Sequence, residues 1–198
     1  MGAPGFVVSL NGQELVAVSS EGRNILTVRL HGDVVGEEMA SLDVTGGYYG
    51  EGSENSHLIW LNAVEISEND EVSVSFEANV ATSQAGKTIG ELHPEEPEKM
   101  GPWQSMEQIF EDLAQQHRVR EKFAFELEYS SGAVKRCETK PGEFSFGFDV
   151  MWQWLKPEIA KIWLTSNTLE SIRDREGGTE HVRVQMRYGE SVKVRVKT

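Results

Sequence analysis

Short runs in which apolar and polar residues strictly alternate constrain this chain more than any other feature. Val72, Val74 and Phe76 alternate with Ser73 and Ser75, and Phe123, Phe125, Leu127 and Tyr129 repeat the pattern. A period of two sends successive side chains to opposite faces of a strand, so each run reads as a half-buried strand. Residues 6–10 and 14–18 form two further runs around Asn11-Gly12, the pair suited to the positive φ values of a type I′ hairpin turn. Runs at 25–30, 40–44 and 57–61 follow, separated by turns rich in Gly, Asn, Asp and Ser.

Beyond residue 140 the alternation turns aromatic. Phe144, Phe146, Phe148, Val150, Trp152 and Trp154 recur at every second position, a stripe large enough to supply much of a core. The stretch 149–164 also fits a helix interrupted at Pro157. Val182, Val184, Met186 and Tyr188 then face Val192, Val194 and Val196 across Gly189-Glu190, which predicts a C-terminal hairpin. Its opposite face carries Arg183, Arg187, Lys193, Arg195 and Lys197. One helix is expected within 103–117, where Met106, Ile109, Phe110 and Leu113 share a face and Ser105 with Gln108 can form a capping box.

Charge divides the chain. Residues 1–97 hold three basic side chains against sixteen acidic ones, and residues 98–198 hold sixteen of each, so the whole net charge of −13 falls in the first half. The boundary coincides with His93-Pro-Glu-Glu-Pro-Glu-Lys-Met-Gly-Pro102, whose prolines resist regular structure. The expected architecture is mainly β: two small antiparallel sandwich- or barrel-like units joined by a Pro-rich linker and one amphipathic helix. Residues 1–93 would form an acidic β domain, 94–102 the linker, and 103–198 a helix-plus-β domain ending in the basic hairpin. No sequence repeat links the halves.

The motifs that carry chemistry are incomplete. Ala85-Gly-Lys-Thr88 resembles the tail of a phosphate-binding loop but has Ala81 where that loop needs glycine, so it reads as a turn. The histidines at 31, 57, 93, 117 and 181 make no HExxH or His-x3-His pair, and the lone Cys137 cannot build a thiolate cage. No Gly-x-Ser-x-Gly elbow occurs. No catalytic residue, cofactor or metal ligand is therefore expected. The lone cysteine, the absence of a signal-like start and the shortness of every apolar run point to a cytoplasmic protein without membrane insertion.

Charge leaves one functional expectation. An uncompensated anionic field repels nucleic acid and accelerates encounter with a cationic surface. The chain is expected to be a non-enzymatic binding module whose acidic half engages a basic protein partner, in the manner of an inhibitor or immunity protein masking a basic enzyme. Glu51, Glu54, Glu65, Glu68, Asp70 and Glu71 are the expected contacts, with Tyr48 and Tyr49 of the Gly46–Gly52 loop as anchors. Two alternatives stand beside it: a self-associating assembly protein pairing through β edges, and a small hydrolase with dispersed carboxylates.

Overall fold

Inward alternation governs the computed structural model, which describes residues 2–50, 55–94 and 104–198. Among these residues, twelve strands form two antiparallel six-stranded sheets packed face to face. They are β1 (Gly5–Leu10), β2 (Gln13–Ser19), β3 (Ile25–Asp33), β4 (Ala40–Tyr48), β5 (Ser56–Ile66), β6 (Glu71–Glu77), β7 (Ala124–Tyr129), β8 (Val134–Glu138), β9 (Ser145–Gln153), β10 (Ile159–Asn167), β11 (Thr179–Arg187) and β12 (Glu190–Lys197). One sheet, here called A, has the order β2-β1-β6-β12-β7-β8, and the other, B, the order β11-β10-β9-β3-β4-β5. The alternating residues of both sheets meet in one core that includes Phe6, Phe76, Leu30, Phe125, Phe148 and Leu164.

The strand order carries an internal two-fold. The first half forms a hairpin (β1–β2), a meander (β3–β4–β5) and a strand that returns beside β1; the second half repeats this with β7–β8, β9–β10–β11 and β12 beside β7. The halves join at β6–β12 in sheet A and β3–β9 in sheet B. Arg29 lies opposite Asp149 and Ser73 opposite Lys193, so one offset of 120 residues relates the halves at both seams. That offset superposes Leu42 on Ile162 and Val44 on Leu164, and it brings the register shift after Val44 onto the shift after Leu164.

The mainly β, antiparallel class expected from the sequence is what forms, and the two sheets are shared between the halves of the chain. Each sheet takes strands from both halves, and the core cluster is shared. Charge asymmetry reports the surface, whereas strand partners are chosen by the inward residues, which are alike in both halves. The expected linker at 94–102 lies almost wholly outside the described residues.

The C-terminal hairpin is corrected. β11 pairs with β10 in sheet B and β12 with β6 and β7 in sheet A, so the turn at Tyr188-Gly189 arches from one sheet to the other. The two valine rows do face each other, but across the core. Alternation is the same for a hairpin and an arch, and Gly189 at φ +80° serves either. The Asn11-Gly12 hairpin forms as expected, with both residues at positive φ. Residues 149–164 are β9, a turn and β10 rather than a helix.

Among the described residues, three helices lie outside the sheets: α1 (Ile89–Leu92), α2 (Met106–Gln115) and α3 (Leu169–Arg173). Ser105 and Gln108 close the capping box of α2. No helix of the described residues is long and apolar enough to cross a membrane. The chain from Val80 to Lys87 straps β2 to β5: Ser83 and Thr82 accept from the Ala17 and Ser19 amides, and Lys87 exchanges two 2.8 Å backbone bonds with Ile59. This covers the sheet edges there. The phosphate-loop-like tail is thus a strap turn, with Thr88 capping α1.

Candidate functional site

The expected contact residues separate into two groups. Tyr48 pairs with Ser56 at one end of the β4–β5 ladder, while Glu65, Glu68, Asp70 and Glu71 gather around the other end, where Ala40 pairs with Ile66. Eight register steps at about 3.3 Å each put the groups on the order of 25 Å apart. Glu51 and Glu54 lie outside the described residues.

Three of the remaining acids already have partners within the chain. Glu71 is bonded to Lys193 (3.1 Å) and to Arg195, which also reaches Glu126 (3.1 Å). Asp70 accepts from the Ser67 amide and the Asn11 side chain. Glu68 accepts from the Thr198 backbone and hydroxyl, bonds that hold its carboxyl below the usual range. Glu65 is exposed at the end of β5. The cations of β12 therefore meet the acidic half directly, as a ladder on the outer face of sheet A.

At the tyrosine end, exposed apolar side chains collect on a fixed frame. Tyr48 and Tyr49 are 48% and 45% exposed, and Trp154 and Leu155, in the β9–β10 turn, are 59% and 72% exposed. Asn24 ties the two loops together. Its side chain pairs with both backbone groups of Tyr49 (2.6 and 3.0 Å), and its carbonyl accepts from the Trp154 amide (3.1 Å). The Tyr49 hydroxyl and His57 Nδ1 lie 2.5 Å apart, which orients that ring. The tyrosines are legible in the sequence; Trp154 continues the alternation expected to fill the core, but β9 ends at Gln153 and Trp154 is exposed instead.

A second constellation, not foreseen from sequence, occupies the outer face of sheet B. Arg29 Nε donates to Asp149 Oδ1 (2.7 Å), and His31 Nε2 lies 2.9 Å from Asp43 Oδ2. Asp43 sits opposite a bulge in β5, where Ala63 takes a left-handed φ of 48° and donates its amide to Asp43 Oδ1 (2.8 Å). The hydrogen bond from His31 leads the contacts that hold the Asp43 carboxyl below its usual range. These residues line an open groove of about 460 Å³, floored by Gly147.

A third cluster is buried. Ser166 Oγ is 2.6 Å from His181 Nε2, and Glu143 Oε2 is 3.9 Å from the same nitrogen. Burial would raise the Glu143 carboxyl, but hydrogen bonds from Ser166, Thr179 and the Lys140 amide outweigh it and the net shift is downward. The residue types match an acyl-transfer triad, yet the geometry does not. Ser166 is 0% exposed, and the carboxylate lies toward Nε2 rather than orienting the ring through Nδ1. With the Ser166 proton given to Glu143, the hydroxyl accepts from His181 Nε2–H, and the cluster is a satisfied polar plug. Lys135 of β8 donates to the His181 carbonyl (2.6 Å), tying the edges of the two sheets together.

No group of three or more metal-ligating side chains occurs among the described residues. The Cys137 thiol is half-buried, and burial pushes its pKa up, away from the thiolate a nucleophile requires. Compared with protein-family models, curated proteins and solved structures, the chain matches none.

Proposed function

We propose that this chain is a cytoplasmic binding module that engages a basic protein partner through the Tyr48/Tyr49/Trp154/Leu155 end of sheet B. The observation that carries the reading is that surface: four large, exposed side chains at the end of β4 and in the β9–β10 turn, tied together where Asn24 bonds Tyr49 and Trp154. Aromatic anchors on a prepared frame lose little entropy on binding, which is the usual make-up of an energetic hot spot. A net charge of −13 supplies the long-range attraction to a cationic partner, and Glu51 and Glu54 adjoin Tyr49 in sequence. Glu65 and Glu68 lie at the far end and act through the field alone. Masking the basic surface of an enzyme, as an inhibitor does, is the mode such a surface suits.

The test is capture from native lysate with the intact chain and with Y49A and W154A variants, at low and high salt. Each truncation should weaken capture at least tenfold, corresponding to about 1.4 kcal/mol or more. Raised ionic strength should slow association while leaving the aromatic contribution in place. Capture of a basic protein that neither variant weakens would overturn the assignment of this end.

A further inference from the structure

The internal two-fold separates what the frame needs from what it does not. Inward residues repeat across the 120-residue offset as apolar partners, Val28 with Phe148 and Leu30 with Val150. Outward residues diverge: His31 corresponds to Met151, Asp43 to Trp163, and Gly147 to Thr27. The His31–Asp43 pair and the hollow over Gly147 thus belong to one side only, and nothing in the shared frame requires them. The left-handed Ala63 that fixes Asp43 is likewise a local backbone cost that the second half, where β10 and β11 pair without a matching shift, does not carry.

The hollow follows from the sequence of β9. His31 pairs with Gly147, so a side chain is missing from the middle of an outward row. A Cβ built on Gly147 meets only Asp149 Oδ2, at 3.7 Å, so the glycine is not demanded by packing. Around it stand Ser145, Thr165 and Asn167, whose side chains make no hydrogen bond among the described residues, and Arg29, which uses only Nε. Trp163 lies beside Asp149 in the next strand, giving the outward row an aromatic member.

This lining selects its ligand by elimination. Asp33, Asp43 and Asp149 around one arginine disfavour an anion. A cation finds Asp43 and Asp149 already engaged by His31 and Arg29. An apolar ligand would strip water from a row of hydroxyls and amides without replacing those bonds. A ligand with many neutral donors and acceptors satisfies both the spare guanidinium nitrogens and the hydroxyl and amide side chains. From this we infer that the outer face of sheet B binds a neutral saccharide in the groove between Arg29, His31 and Thr165, over Gly147.

The experiment is a heteronuclear NMR titration of the intact chain with neutral cello-, malto-, xylo- and chito-oligosaccharides. At least one should shift amides of β3, β4 and β9 with a Kd on the order of 0.1–10 mM, the range an open groove supports. Gly147→Val, which fills the hollow and suits a strand, should weaken that binding at least tenfold while the melting temperature holds. Thr165→Val, a second variant at the wall, should weaken it without altering the far sheet's spectrum. The inference is overturned if none of the four series shifts these amides, if Gly147→Val binds as the parent does, or if inorganic phosphate occupies the groove more tightly than any neutral sugar.

Discussion

His181 illustrates what a single buried titratable group does to this fold. Burial disfavours its imidazolium, and Glu143 only partly offsets this, so its pKa in the folded chain lies below the ordinary 6.5. The unfolded chain takes up the proton first. Stability is therefore whole above 6.5 and is lost as pH falls from 6.5 through the lowered folded value. Glu143, also lowered, keeps its contribution above its ordinary 4.5 and loses it only in stronger acid. Lys140 and Lys135 also face the ring and add to its depression. Urea midpoints at about pH 7.5 and 5.5 should differ for the parent chain. His181→Gln should be less stable at both values yet show a smaller difference between them. An unchanged difference would remove His181 as its source. Sequence gave no sign of this cluster, because Glu143, Ser166 and His181 come from separate elements and meet only when β11 packs beside β10.

At the scale of elements, the link from α2 into β7 is held by backbone bonds to Val34 and by the Arg120 side chain. Arg120 donates to the carbonyls of Asp33 (2.6 Å) and Glu37 (3.0 Å), and its guanidinium stands 5.4 Å from the Phe123 ring. It thereby fixes the second half against the β3–β4 connection of the first. Arg120→Ala should lower unfolding free energy by about 1–3 kcal/mol, since two backbone acceptors lose a charged donor. Arg120→Lys should recover less than half of that, because an ammonium cannot span both carbonyls as the planar fork does. Urea unfolding of both variants measures this, and equal stability of lysine and arginine would refute the two-carbonyl clamp. Elements themselves were legible: alternation located the strands, and Ser105 with Gln108 marked the start of α2. Their partners were not. Val182 to Val196 reads alike as hairpin or arch, and only the competition between β10 and β12 for β11 decides it.

For the whole molecule, the decisive fact is that each half completes the other's sheets. Without the second half, strands β6 and β3 would end their sheets as bare edges and the shared core would lose half of each wall. A chain cut by a protease site engineered within residues 95–103 should remain one species on size exclusion. Its fragments should separate only in denaturant, and separation under native conditions would show that the halves are independent after all. The charge division was legible in sequence, but the repeated strand order of the two halves was not, because it lies in which strands pair. The halves also differ in a way that matters for their partnership. In the β6–β12 seam, Glu71 finds Lys193 and Arg195. Two identical first halves meeting at Ser73 would set Glu71 against Ser75 and double the net negative charge with no cation in the seam to answer it. The divergence of the second half is thus what lets so acidic a first half have a neighbour, and it makes the pairing obligatorily unlike.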